Sequence, residues 1–579
     1  MAHLHKKMKN GRPYFYIREI ARVNGKPKVV NQVYLGTVEK ILSLVTGQKS
    51  TDLSRIQVQE FGALWLANEI EKMVGVTGII DGIVPQKSKD SGPSVGEYFL
   101  YAAFNRMVDA TSKRALPEWF AHTAIQSIRA ADIQALDSDG YWRKWGLVEE
   151  KHLRDIAQKL FARIAELRPS TSGCFLFDTT NYFTFMASDT ESELAKRGKN
   201  KEGRDWPRQV GLALLVDRQT RLPFFYREYE GNRHDSRLFQ SIIDEVCATM
   251  QGCGQKDVTI VFDKGMNSPE NICAIDATDG AHFITTYSPY FAEELIHAGR
   301  DQFSAVETVH NRELKAQGRE DDLLSAWRTT GEYWGRERTV VVTYNPLTAT
   351  KQRYAFEAKL QKLQAALYEI RGKVREDARG WRQEAKVRER YEQVCEDLHL
   401  PKDLYDLTFE RKDGQTILGF RKNYYRISRH IDRFGKNILI TDHADWSTDE
   451  IVQASLDRYI VEQAFRQTKD DDLVSMFPIR HWTDSKIRCH FLSCIVALAY
   501  LRLIELKLED AGIHMTAQRT MDLMRNLHSC LCWNGEKEKA WRMIEEPTPD
   551  QARVLAAFGY EVERGVLQKI KSYMLYCWR

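Results

Sequence analysis

Cys174-Phe-Leu-Phe-Asp178 and Val258-Thr-Ile-Val-Phe-Asp263 are two apolar runs that each close on an aspartate. Short continuous runs of this kind read as buried strands. A carboxylate at the tip of a buried strand is costly unless something cationic meets it. A third acid, Glu462, stands in Asp457-Arg-Tyr-Ile-Val-Glu462-Gln-Ala-Phe-Arg466-Gln-Thr-Lys469. Two strand-tip aspartates and one helical glutamate could form an oxygen cage for a pair of hard divalent ions, a constellation suited to phosphoryl transfer on nucleic acid.

The residues around the two aspartates order the fold. After strand 174–178 and a polar loop over 187–206, Gln209–Val216 and Pro223–Tyr229 read as two further strands. Asp235 is placed to cap a helix over Ser236–Met250. Strand 258–263 follows, then a helix opened by Ser268-Pro269-Glu270, then a strand over 282–286. Three strands, helix, strand, helix, strand is the order of a ribonuclease-H-like α/β core. That core carries one acid on its first strand and one just after its fourth, the places of Asp178 and Asp263.

An insertion separates this core from its last helix. It holds a strand over 337–344 and a long charged helical stretch over 350–396. There Leu360, Leu363, Leu367, Ile370 and Val374 step by three and four, a coiled-coil spacing, with Gly372 and Gly380 weakening its second half. Short strands are expected over 406–410, 416–420, 424–428 and 437–441. A helix from Asp449 to about Thr468 then carries Glu462. At about 100° per residue, Arg458, Glu462, Arg466 and Lys469 share an arc of roughly 80°. Leu456, Ile460 and Ala464 form the opposite, apolar side. The bland reading is a solvated face of weak ion pairs; the two aspartates favour a Glu462 that ligates metal beside cations that hold phosphates. Asp217 in its turn, His234 before the helix and the Asp470–Asp472 triplet read as structural or solvated.

Charge is concentrated at the N-terminus. Residues 1–50 hold ten Lys or Arg against two Glu, a net of +8, so the remainder of a chain with net charge +4 sums to −4. Pro13–Ala21 and Val29–Leu35, joined by Asn24-Gly25, read as a β-hairpin, and its basic flanks suit nucleic acid. The ten cysteines include no CxxC pair, which fits a reducing compartment. No signal peptide is read, and the longest apolar stretch, 491–501, is too short to span a membrane. The expected divisions are 1–50, a basic hairpin contacting DNA; 51–170, a helical DNA-binding domain; 171–290, the first part of the core; 291–447, the insertion; 448–510, completion of the core with the third acid; and 511–579, a helical C-terminal region.

These residues carry a resemblance to the DDE transposases of bacterial insertion sequences, the IS-four-like group. Leu176-Phe-Asp178-Thr-Thr is similar to the first acidic motif of that group. Val261-Phe-Asp263-Lys-Gly-Met266-Asn-Ser is similar to the second, and Arg458-x3-Glu462-x6-Lys469 to the third. The group's Tyr falls at Ser455, while Tyr459 stands beside Arg458. The resemblance implies Asp178, Asp263 and Glu462 as catalytic residues and metal ligands, with Asp178 bridging. It implies two Mg2+ ions, which Mn2+ can replace, and DNA phosphates held by Arg458, Arg466 and Lys469. It further implies a homodimer acting on paired double-stranded transposon ends, which it cuts and joins to target DNA, in the bacterial cytoplasm on the nucleoid. A nuclease that cuts without joining, or an inactive DNA-binding protein, would share much of this pattern.

Overall fold

A computed structural model describes residues 2–570 apart from 10–11, 24–25, 39–40, 42–52, 87–91, 188, 199–206, 377, 382, 413–414, 471, 478 and 535–539. The chain forms two compact units. The first comprises Met1–Arg163, Phe185–Ser192 and Gln467–Arg579; the second comprises Ile164–Thr184 and Glu193–Arg466.

The second unit is built on a ten-stranded sheet. Its strands and helices are numbered here in chain order. Strand β1 is Cys174–Phe183, β2 Arg208–Asp217 and β3 Pro223–Glu230. Helix α1, Asp235–Gly252, leads to β4, Val258–Phe262. Helix α2, Pro269–Ala277, leads to β5, Ala281–Tyr287. The spatial order β3-β2-β1-β4-β5, with β1 parallel to β4 and β4 to β5 and the first three strands antiparallel, is the ribonuclease-H-like sheet expected from the element order. Every residue of β4 is buried. A strand flanked by parallel neighbours and covered on both faces reads as an unbroken apolar run, which is why Val258–Phe262 shows no alternation.

The sheet continues beyond β5. Strands β6, Ser325–Tyr333, and β7, Arg336–Tyr344, form a hairpin. Two helices follow, α3 over Pro346–Arg375 and α4 over Glu384–Leu398. Then β8, Lys436–Thr441, slots between β7 and β5, antiparallel to both. Helix α5, Thr448–Leu456, and helix α6, Tyr459–Lys469, follow, and the unit ends within α6 at Arg466.

The long helical stretch expected over 350–396 is thus two helices. The chain turns between them, with Gly380 at φ +88°. The leucine stripe is no open seam. Leu363 and Leu367 are fully buried with Phe356, Tyr391 and Tyr405 inside the insertion itself, so the stripe offers no face to a second copy. Residues 424–428, expected as a strand, open the helix Tyr424–Ile431, in which the Asn423 side chain accepts the Arg426 N–H. Asp235 is the first residue of α1, not its cap; His234 precedes it and makes no side-chain cap bond.

In the first unit, Ala2–Lys9, Arg12–Val23 and Lys26–Gly36 form a three-stranded antiparallel sheet. It contains the expected hairpin and adds a strand before it; the Asn24-Gly25 turn lies outside the described residues. Helix Asp484–Asp510 is buried over most of its length and packs against Val95–Val108. No helix among the described residues is long and apolar enough to cross a membrane. The C-terminal region, expected to be helical, is mixed. His528–Asn534 is a strand paired with Leu53–Glu60 and Trp541–Ile544, and Tyr560–Glu563 pairs with Val566–Lys569.

Leu363→Ala removes a fully buried side chain from the insertion core. The expected cost is about 2–5 kcal/mol, read as faster amide exchange in α3 and α4 with the β1–β4 pairing still protected.

Candidate active site

Strand β1 carries Asp178 in its interior, since pairing with β2 runs on to Phe183. The side chain is 7% exposed, and its Oδ1 accepts the Thr179 N–H at 2.8 Å. Parallel pairing joins Cys174 to Thr259, Phe175 to Ile260 and Leu176 to Val261. Two residues further along each strand stand Asp178 and Asp263. The register therefore brings both aspartates to the same end of the sheet.

Asp263 lies just past β4, where it caps the short turn Lys264–Met266. Its Oδ1 accepts the Lys264 N–H at 2.8 Å and the Thr286 hydroxyl at 2.7 Å. The Arg458 Nη1 lies 3.5 Å from the same oxygen. Burial pushes this carboxyl up, but the Thr286 hydroxyl, the Arg458 guanidinium and the Lys264 N–H outweigh it and hold Asp263 below the usual carboxylate range. Asp263 is therefore an anion throughout the neutral range.

Arg458 joins this end of the sheet to the third acid. It occupies a break, Asp457–Arg458, in what the sequence predicts as one continuous helix. Asp457 is fixed there from two sides: Arg218 Nε donates to it at 2.6 Å and Gln453 Nε2 at 2.7 Å. Arg218 is itself anchored at the end of β2, its N–H donating to the Cys174 carbonyl at 3.0 Å. Glu462 follows in the first turn of α6 and is exposed, as is Arg466; Lys469 is partly buried. Ile460, Val461, Ala464 and Phe465 form the buried side. Leu456, expected to join them, is 38% exposed because it ends α5.

Arg458 thus lies outside the helical stripe predicted to hold it and faces Asp263. Arg218, Asp457 and Thr286 were not singled out from the sequence; Arg218 sits in a turn that reads as purely structural. Among the described residues, the three ligating side chains whose atoms gather within 4.8 Å of one another are His282, Asp442 and His443. Asp178, Asp263 and Glu462 do not close to that spacing.

A family model described as the transposase DDE domain matches residues 183–500. The chain belongs to that family. It is accordingly a DNA transposase, a divalent-metal-dependent enzyme that cleaves and joins DNA. The match includes Asp263, Arg458 and Glu462 and begins after Asp178. No curated protein is a significant match to the chain. Among solved structures, a piggyBac transposase synaptic complex with hairpin DNA is similar at 8% identity and TM-score 0.36, over 82% of each chain. A Mos1 transposase paired-end complex with the left transposon end is similar at 10% identity and TM-score 0.15, over 37% of this chain and 64% of that one.

Because the folded state depresses the Asp263 pKa, the stabilisation from its ionised form is full above the ordinary carboxylate range and is lost as pH falls through the depressed value. Thr286→Val removes the hydroxyl donor. The acid limb of the transposase's pH–rate profile is then expected to move to higher pH; an unmoved limb would show that Asp263 does not govern it.

Proposed function

We propose that Asp178, Asp263 and Glu462 are the catalytic carboxylates of this transposase, that they hold two Mg2+ ions, and that Arg466 and Lys469 hold DNA phosphates beside them. The observation that carries the reading is the β1–β4 register, which sets Asp178 level with Asp263, together with the Arg458 contact that leads from Asp263 to the helix of Glu462. The donor set fits the group. Three carboxylates offer only oxygen, the ligand that hard cations such as Mg2+ take. Bound there, such ions would activate the attacking oxygen and stabilise the leaving one.

The chain's own residues prepare the site. The interior strand position of Asp178 limits its movement. Thr286 and the Lys264 N–H orient the Asp263 carboxylate. Arg458 holds it ionised, so it is ready to ligate without first losing a proton. Asp457, held by Arg218 and Gln453, fixes the start of α6 and with it the position of Glu462. Arg466, one turn beyond Glu462, places a cation where a phosphate approaching the carboxylates would lie.

The further reading is that the protein works as a homodimer on paired transposon ends, with the N-terminal sheet contacting DNA. Exposed Lys6 and Lys7 lie on that sheet with Tyr14, Tyr16 and Tyr34.

With labelled DNA carrying the element's own ends, Mg2+ is expected to support cleavage and a joined product, with Mn2+ able to replace it. Asp178→Ala, Asp263→Ala and Glu462→Ala should each abolish both products while DNA binding persists. A variant that still cleaves removes its residue from the assigned set. Arg466→Ala should weaken binding on all sequences alike and reduce the salt slope by about one unit, as for one lost phosphate contact.

A further inference from the structure

At the other end of β4 from Asp263 is a second group of ligating side chains. His282 is the second residue of β5, Thr259 the second of β4, and Asp442 and His443 directly follow β8. From Thr259 to Asp263 the strand advances about 13 Å, at roughly 3.3 Å per residue. The group is thus remote from the proposed catalytic carboxylates.

Its geometry is that of a built site. The His282 Nδ1 and Asp442 Oδ2 lie 2.8 Å apart. The other oxygen, Asp442 Oδ1, accepts the Phe283 N–H at 2.9 Å, which fixes the carboxylate. The His282 and His443 ring centroids are 4.6 Å apart. On its far side, His443 Nε2 lies 2.8 Å from the buried Thr259 hydroxyl. With Nε2–H donated to that oxygen, Nδ1 is the nitrogen that carries the lone pair. This is the arrangement that sets the tautomer of a metal-binding histidine. The exposed Asp445 Oδ1 is 3.5 Å from His443 Nδ1 but does not gather with the three ligating side chains. Behind the site, Trp446 stacks on His443 at 4.2 Å, and Arg328 clamps the Ala444 and Trp446 carbonyls.

We propose that His282, Asp442 and His443 bind a divalent transition metal of the zinc class, at a site separate from the catalytic carboxylates. Two imidazole nitrogens and one carboxylate oxygen suit Zn2+ and its Co2+ surrogate, whereas Mg2+ favours oxygen alone. On binding at Nδ1, the metal takes the place of the hydrogen between His282 and Asp442, and the neutral His282 ring carries its proton on Nε2 instead. Three protein ligands leave the fourth position of a zinc-class ion to water. The metal ties the start of β5 to the turn that leads from β8 into α5, the helix that precedes Arg458 and Glu462.

The test uses the full-length chain, stripped of metal by a chelator and titrated with Zn2+ in excess Mg2+, with visible absorption of the Co2+ form as a second readout. Wild type and Asp263→Ala are both expected to bind one tight equivalent and to give the strong visible bands of four-coordinate Co2+. The double variant His282→Asn and Asp442→Asn should lose both signals, with circular dichroism confirming that it is folded; the amide oxygen introduced at position 442 can still accept the Phe283 N–H. Thr259→Val keeps every ligand and should weaken Zn2+ by roughly 10–100-fold. Binding that survives in the double variant would overturn the proposal. Loss of the tight equivalent in Asp263→Ala would overturn it too, since zinc would then sit on the catalytic carboxylates.

Discussion

The second unit depends on the parallel pairing of β1 with β4, because that register decides which acids meet. Cys174 opposite Thr259 commits Asp178 to stand level with Asp263. Neighbouring strands run about 4.8 Å apart. Carboxylates brought to one end of neighbouring strands repel each other. The fold answers this on the Asp263 side, where a guanidinium, a hydroxyl and a backbone N–H converge on one oxygen. Asp178, in the strand interior, has less room to move. Hydrophobic burial thus fixes the register, and the register creates an electrostatic problem that the partners of Asp263 then offset.

The insertion would otherwise threaten this arrangement, since it separates Asp263 from Glu462 by most of the unit's sequence. It does not, because its entry and exit strands are neighbours. β7 and β8 pair from Thr339–Thr441 to Tyr344–Lys436, and the Asn345 N–H donates to the Gly435 carbonyl at 2.8 Å. Gly435 has φ +72°, and a Cβ there would stand 2.5 Å from the Asn345 carbonyl oxygen, so glycine is required for this close return. The helices of the insertion pack on the antiparallel pair Tyr405–Lys412 and Gln415–Lys422. The excursion therefore closes on itself and delivers the chain back to β5, in position to continue through α5 and α6.

The features legible in the sequence were those determined locally. β4 could be read because burial on both faces leaves an unbroken apolar run, and α6 because its buried side recurs at helical period. The features that were missed have partners far away in sequence. Nothing near Asp457 announces a helix break; the break is held by Arg218, on the far side of the core in sequence. Cys530-Leu-Cys532 gave no sign of a strand because its partner is Gln57 and its neighbours. Tyr424–Ser428 looked like a strand from its aromatic residues, yet Tyr424 and Tyr425 are exposed and Ile427 is the residue that needs burial. A single apolar contact with an Asn cap suits a short helix better than a half-buried strand.

The break at Asp457 also divides labour among the cations. On one continuous helix, Arg458, Arg466 and Lys469 would have formed a single stripe with Glu462, and all three would have competed for the same phosphates. With the helix interrupted, Arg458 turns inward. Its side chain is 17% exposed and sits against the 45%-exposed Asp263, where it joins the Thr286 hydroxyl in favouring the ionised carboxylate. Arg466 remains outward and solvent-exposed beyond Glu462. Two residues of irregular backbone between α5 and α6 thus separate an inward cation from an outward one.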